Sequence, residues 1–346
     1  MKASLILLLL VPTFLRAAPQ QAVVVVPVAD VWSRPLADGE KPVDDLRETQ
    51  VLFGEKVLIH ESSGPWVRIE AVEQPEFTHH NKWEGYPGWT LQRFLNAFPG
   101  NTPKMKNSFA PQLMRGLRWA EIVASTITPR AESYLSLGSV ANVDCSNNIR
   151  SPFIAIAWES ATKWTATAGF PNCFLPRTTP QRMVDSQRVS ILGAAQLFMN
   201  VPYLWGGLTP GSPQNPSSSA VSEGQFATAY GADCSGLVHL SYRTSGISIP
   251  RDAHEQWMKA IPIHRKDLKF ADLIFSAKKE NPKKITHVAL FYTRDMASDA
   301  WIIEAPQTGL MVRTITFKEK YGKPLEEVES GDRVGERVIY FGSFLQ

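Results

Sequence analysis

The sequence predicts an α+β protein in which small β units precede a larger mixed domain, and three observations carry that prediction. Between Ala22 and Phe94, short β-branched runs alternate with Gly/Pro turns. After Pro180 the apolar spacing shifts from a period of two to one near 3.6. Beyond Phe270, apolar runs of strand length return, so helices precede strands within one unit, as in an antiparallel α+β domain.

Bulk properties set the frame. At 346 residues the chain predicts two or three domains, taking ~100–200 residues for each. A hydrophobic fraction of 44% with 20% charged residues suits globular units with real cores. The 36 basic and 33 acidic residues give a net charge of +3 with no basic block of the kind that tracks phosphates, so nucleic acid is not an expected partner.

The elements follow in order. Lys2 precedes an apolar run from Leu5 to Leu15, then Arg16, Ala17 and Ala18. That pattern reads as a signal peptide over residues 1–18, since the run is too short to span a bilayer, and it predicts export to the periplasm or the extracellular space. From Ala22 to Val28, Gln50 to Ile59 and Trp66 to Val72 the runs predict strands of a small barrel over residues 19–98. Residues 99–112, rich in Asn, Pro, Lys and Ser, read as a linker. Glu121 to Thr128 and Ser151 to Trp158 again look strand-like and suggest a second β unit over residues 113–180. Residues 181–346 form the last domain. It opens with an amphipathic helix from Met183 to Met199, its apolar positions at Val184, Ile191, Leu192, Ala195 and Phe198, and a second helix runs from Cys234 to Arg243. Strands are expected at Ala271 to Ser276, His287 to Tyr292, Trp301 to Glu304 and Met311 to Thr316.

Three cysteines leave one unpaired if a disulfide forms in an oxidising compartment. Cys145 and Cys173 share a Gly/Asn/Pro-rich region and could bridge. Cys234 sits apart, between Asp233 and Ser235-Gly236 at a predicted helix start, where partial positive charge and free N–H groups favour a thiolate. A nucleophilic thiolate needs a base, and His287, opening the run Val288 to Tyr292, is the candidate; period two puts it on one face with Ala289 and Phe291. Glu304, ending a later strand, is the candidate to orient the imidazole, with Gln307 as a fallback. The backbone N–H of Cys234 and the hydroxyl of Tyr203 are candidate oxyanion donors. His239 reads as structural and His254 as solvent-facing. No Cys-x-x-Cys or His-x-x-x-His spacing occurs, so neither a metal nor another cofactor is expected.

Six segments in order then carry a family resemblance: Pro202-Tyr-Leu-Trp-Gly-Gly207, Asp233-Cys-Ser-Gly-Leu237, Ile249-Pro-Arg-Asp252, Asp272-Leu-Ile-Phe275, Thr286-His-Val-Ala-Leu290 and Glu304-Ala-Pro-Gln-Thr-Gly309. Together they resemble the NlpC/P60 cysteine peptidases from about Met183 to the C-terminus. Val31-Trp-Ser-Arg-Pro35, Gly64-Pro-Trp-Val-Arg-Ile69 and Gly85-Tyr-Pro-Gly-Trp89 resemble bacterial SH3-like (SH3b) domains. The whole order is similar to γ-D-glutamyl-L-diamino acid endopeptidases. The resemblance implies a papain-like catalytic fold and cleavage of the γ-D-glutamyl amide to meso-diaminopimelate or L-lysine in peptidoglycan stem peptides or muropeptides. A monomer is expected, and the short apolar run at the N-terminus predicts no membrane span. It also implies a pocket for a free N-terminal L-alanine built from Asp233, Tyr203, Ser235 and Asp252, with Tyr86 and Glu55 lent by the first barrel. Two departures stand out: Glu304 occupies a position where many members have His, and Ala253 one where related enzymes have Ser. The competing readings are a non-catalytic wall-binding SH3b protein and an amidase or transferase of the same Cys/His design.

Overall fold

The computed structural model describes residues 18–26, 28–40, 43–52, 54–97, 154–160, 163–168, 180–210, 231–294, 300–307 and 310–345. The expected signal peptide up to residue 17, the linker, the run from Glu121 to Thr128, and Cys145 and Cys173 lie outside the described residues.

The N-terminal region is a seven-stranded antiparallel sheet built from β1 (Gln20–Val24), β2 (Val28–Trp32), β3 (Arg47–Leu52), β4 (Lys56–Ser63), β5 (Trp66–Glu76), β6 (Glu84–Leu91) and β7 (Leu95–Ala97) in the order β3-β2-β6-β5-β4-β1-β7. Alternating burial along β5 puts Val67, Ile69 and Ala71 into a core with Val24, Val31, Val51 and Val57, as a half-buried strand requires. Three boundaries differ from the sequence expectation. The run Ala22 to Val28 ends as a strand at Val24, and Val28 begins the next. The run Gln50 to Ile59 is two strands, because Gly54 takes the left-handed region (φ 80°) and turns the chain between them. The strand expected to stop at Val72 runs on to Glu76 and forms a long hairpin with β6.

Farther along, β8 (Ile154–Ser160) and β9 (Lys163–Ala168) pair as an antiparallel hairpin. Helix α1 (Pro180–Gln196) follows; proline is at home in a first helical turn, where its missing N–H has no partner to lose. Ile191, Ala195 and Phe198 from this segment are buried. The short pair β10 (Leu208–Thr209) and β11 (Gly231–Ala232) leads into α2 (Cys234–Arg243), and α3 (Ala253–Lys259) comes next.

The C-terminal sheet comprises β12 (Ile261–Pro262), β13 (Leu273–Lys278), β14 (Ile285–Arg294), β15 (Ala300–Glu304), β16 (Arg313–Thr316), β17 (Arg333–Val334) and β18 (Arg337–Ser343), in the order β12-β18-β13-β14-β15-β16 with β17 beside β18. Helix α4 (Phe317–Tyr321) follows β16, started by a capping box of Thr316 and Glu319. Both faces of the sheet are covered. Val288, Leu290 and Ile303 pack with Ile191, Phe198, Leu237 and Leu240, while Ala289, Phe291 and Ile302 pack with Phe317, Leu325 and Val328. The closing strand β18, which bonds along the length of β13, extends the sheet past the last strand expected from sequence. Among the described residues no helix is long and apolar enough to cross a membrane.

The two regions meet through buried polar contacts. Leu208 N–H donates to Gln50 Oε1 (2.9 Å), Arg251 N–H to the Pro75 carbonyl (2.9 Å) and Arg251 Nε to Thr49 Oγ1 (2.9 Å).

Candidate active site

Cys234 is the first residue of α2, preceded by Asp233 as N-cap, whose Oδ1 accepts from Gly236 N–H at 2.6 Å. That cap satisfies one of the orphan donors of the helix start. The approach of the preceding segment is tight: a Cβ on Gly236 would lie 2.2 Å from the Gly207 carbonyl oxygen, so only glycine fits there. Gly206 adopts φ 70°, and the turn it makes directs its N–H to Asp233 Oδ2 at 3.0 Å.

The paired stretch of β14 and β15 runs from Leu290–Ile303 to Arg294–Ala300, so His287 and Val288 lie beyond its last pair. At this place the Val288 and Ser235 amides point at the Cys234 sulfur. The thiol therefore abuts the backbone of the residue after His287. The ring of His287 is buried, with Nε2 2.9 Å from Glu304 Oε2. Glu304 is fully buried and also contacts Arg313 Nη2 (3.0 Å) and the Lys320 ammonium. Burial alone would raise this carboxyl, but the hydrogen bond and charge of His287, with Lys320, hold it down at about 2. An ionised carboxylate can only accept, so the proton sits on His287 Nε2 and the lone pair of the neutral ring on Nδ1.

The charge state of the pair departs from the thiolate expected at a helix start. Burial pushes the Cys234 thiol up, Asp233 adds to this, and the Val288 and Ser235 amides with Arg251 only partly oppose them, leaving it at about 12. Burial likewise lowers His287, with Lys320 and Arg337 adding to the effect against the pull of Glu304. Both shifts favour the neutral forms, a thiol at Cys234 and an uncharged imidazole at His287. The half-charge of the helix terminus is offset by the full negative charge of the N-cap next to the sulfur.

The remaining expected site residues divide. Tyr203 bridges to Ala232, one residue from Asp233; burial, then Asp233 and Cys234, raise its hydroxyl well above the ordinary tyrosine value, so it stays a donor. Tyr86 of β6 donates to Asp252 Oδ2 at 3.0 Å, across the two regions. Asp252 occupies the N-cap position of α3 without a side-chain capping bond and keeps 37% of its side chain exposed. Burial raises its carboxyl to about 7, Arg251 opposing and Glu255 and Asp233 reinforcing.

Two of the expected residues are engaged by partners within the protein. Asp233 was expected to hold a substrate ammonium, but its oxygens already accept from Gly206 N–H, Gly236 N–H, Ser235 Oγ (3.1 Å) and both terminal nitrogens of Arg251 (3.1 and 2.8 Å). Ser235 is committed to the same network. Asp252 is the carboxylate left facing outward. Glu55 is not part of this site: it is buried against Arg243 at the far end of α2 and accepts from Gln74 Nε2 at 3.0 Å. At 1.5 Å per residue, that end of the helix lies more than ~10 Å from its first residue. The barrel carboxylate nearer Tyr86 is Glu48, whose charge acts on that hydroxyl and whose Oε2 lies 3.3 Å from His79 Nε2.

His239 is buried with Nδ1 donating to the Ile249 carbonyl at 3.0 Å, a structural position as expected. His254 instead accepts weakly from Ile285 N–H at 3.4 Å and stacks on Trp257. Sequence reasoning gave no role to Arg251, Lys320 or Arg313. Arg251 lies inside a motif, which was a usable signal; the other two are spaced from Glu304 by strand and turn geometry that no pattern marks. Gln307 is exposed on the loop after Glu304.

Residues 200–325 match the NlpC/P60 family. That stretch is an NlpC/P60 domain. Around this NlpC/P60 domain the likeness extends into the N-terminal region. The chain is 26% identical over 278 residues to the gamma-D-glutamyl-L-lysine dipeptidyl-peptidase of Bacillus subtilis (strain 168), covering 80% of this chain and 78% of that protein. It is 25% identical over 276 residues to the protein of the same name from Bacillus cereus (strain ATCC 10987 / NRS 248), covering 78% and 70%. The crystal structure of an NlpC/P60 family protein from Bacillus cereus ATCC 10987 shares the fold, with a TM-score of 0.53 at 18% identity over 94% of this chain and 100% of that one.

Proposed function

We propose that this protein is a cysteine peptidase that cleaves the amide between γ-D-glutamate and a diamino acid, L-lysine or meso-diaminopimelate, in peptidoglycan stem peptides bearing a free N-terminal L-alanine. The observation that carries the proposal is the arrangement around α2: a thiol at the first helical position touching the amide of Val288, the residue after a histidine whose Nε2 is fixed on a buried carboxylate.

In this reading Cys234 is the nucleophile and His287 the base. The thiol proton passes to Nδ1 as the sulfur attacks the γ-carbonyl carbon, and Glu304 stabilises the imidazolium that forms. The Cys234 N–H, which has no intrahelical acceptor at its position, and the Tyr203 hydroxyl supply the oxyanion donors. On collapse the C–N bond breaks, the imidazolium gives its proton to the leaving amine, and a thioester remains. Water, deprotonated by His287, then hydrolyses the thioester and restores the thiol. The neutral resting pair suits this proton transfer during attack, because the thiolate is made only when the carbonyl is in place.

The amine end is assigned to Asp252, its carboxylate aligned by Tyr86, since an ammonium pairs best with a carboxylate that is still open to a ligand. The names of the two Bacillus relatives agree with cleavage after a dipeptide. The test is mass spectrometry of L-Ala-γ-D-Glu-L-Lys, its N-acetylated form and glycan-linked stems after incubation with wild-type protein and Cys234→Ala. Release of L-Ala-D-Glu from the free tripeptide by wild type only is expected. Binding without cleavage would overturn the assignment in favour of a wall-binding module, and equal cleavage of the N-acetylated peptide would remove the role given to Asp252.

A further inference from the structure

The β5–β6 hairpin carries a side-chain cluster that peptide cleavage does not use. Glu76 ends β5 and Glu84 begins β6, and the two are cross-strand partners, so their side chains share a face. The connecting turn reverses through Asn81, which takes φ 54°, and brings back His80, midway between them in sequence. One carboxylate oxygen from each glutamate and one ring nitrogen of His80 lie within 4.8 Å of one another.

Glu76 is the informative member. It is fully buried, and its Oε2 is engaged by the His79 backbone N–H (3.0 Å) and His79 Nδ1 (3.0 Å). Its Oε1 is also buried and has no hydrogen-bond partner among the described residues. An orphaned buried carboxylate oxygen is costly, and a cation would satisfy it. His80 Nδ1 rests against Glu84 Oε1, so two of the three ligand atoms already converge. Glu84 Oε2 meets Lys82 Nζ at 2.7 Å, and that lysine is 66% exposed, free to swing into water.

From this geometry we infer that the hairpin is a binding site for one Zn2+ ion, held by Glu76, His80 and Glu84. One imidazole nitrogen with two carboxylate oxygens suits zinc better than calcium or magnesium, which take all-oxygen sets. Three protein ligands leave a tetrahedral position for water. The cluster escapes spacing rules because its ligands are brought together by strand pairing and a turn rather than by one helix face. The same hairpin touches the NlpC/P60 domain: Thr78 Oγ1 contacts Glu255 of α3, and Lys259 Nζ lies 4.1 Å over the Trp83 ring. A bound ion would therefore fix the part of the barrel that docks on α3.

The test uses the full chain carrying Cys234→Ala, so that the thiol cannot ligate and the peptidase reading does not enter. After EDTA stripping, ZnCl2 is titrated calorimetrically, with intrinsic tryptophan fluorescence as a second readout and MgCl2 as a control. One equivalent of Zn2+ is expected. Adding His80→Ala or Glu84→Gln should weaken it by more than about tenfold. His80 is 54% exposed, so its replacement leaves the fold intact, which circular dichroism checks. No Zn2+ binding above buffer, or the same isotherm for all three proteins, overturns the proposal.

Discussion

Replacing Glu304 by Gln removes one negative charge from His287 while keeping the size of the side chain. The Nε2–Oε2 distance of 2.9 Å lies in the charge-assisted range once the ring is protonated, and hydrogen bonds to charged groups contribute ~1.5–3 kcal/mol. Because the bond strengthens as His287 takes the Cys234 proton, most of that loss falls on the transition state, so kcat should fall roughly 10- to 150-fold. The pH profile gives a sharper check. Glu304 raises His287 and Lys320 lowers it. Glu304→Gln should thus move the acid limb of kcat/KM to lower pH, and Lys320→Met should move it to higher pH, since the base must be neutral to act. Arg313 is 43% exposed and can turn to water in the Gln variant, whereas Lys320 is only 18% exposed, so the melting temperature is recorded for both. The assay is release of the diamino acid from the free tripeptide across about pH 5–9. Shifts of the same sign in both variants, or an unchanged kcat in Glu304→Gln, would refute the orienting role.

Other outcomes follow from the same contacts. With the thiol pushed up to about 12, iodoacetamide should alkylate Cys234 slowly at neutral pH and about tenfold faster per pH unit above it; a flat profile would mean a preformed ion pair. With Asp252 at about 7, KM for the free tripeptide should fall as pH rises through that value and climb again as the peptide ammonium deprotonates near ~8. Asp252→Asn should raise KM and erase the first of those limbs. Glu55→Gln removes one of the two carboxylates on buried Arg243 and leaves Glu73 as its partner, and should cost about 1–3 kcal/mol in urea unfolding, with KM little changed; a raised KM at unchanged stability would return Glu55 to the substrate pocket. Arg251→Met removes the guanidinium paired with Asp233 and should lower both stability and kcat.

Much of the fold was legible because its signals are local. The helix from Cys234 to Arg243 appears with the expected ends, since Asp supplies an N-cap and the apolar spacing continues for its whole length. The strands around His287 and Glu304 lie within a few residues of their expected bounds, as alternating apolar runs allow. What escaped was set by tertiary partners. β5 runs past Val72 through polar residues because β6 continues to pair with it as far as Glu76–Glu84. β18 is a strand because β13 bonds along it. Neither partner is visible from within the segment it extends.

The site was legible in its residue types and much less so in its charges. A cysteine at a helix start reads as an activated thiolate when only the helix is considered, because the terminus carries about half a positive charge. Here the residue that makes the helix start well, Asp233, places a whole negative charge beside the sulfur, and Arg251 answers it from a motif eighteen residues later. The balance depends on where that guanidinium lies, and the barrel decides this through Thr49 and the Pro75 carbonyl. The N-terminal region therefore acts on the chemistry without touching the sulfur: it holds Arg251, Arg251 holds Asp233, and Asp233 sets both the helix start and the field at Cys234. Loosening the Thr49 contact, as in Thr49→Val, should shift the alkylation profile of Cys234 to higher pH while leaving the nucleophile in place.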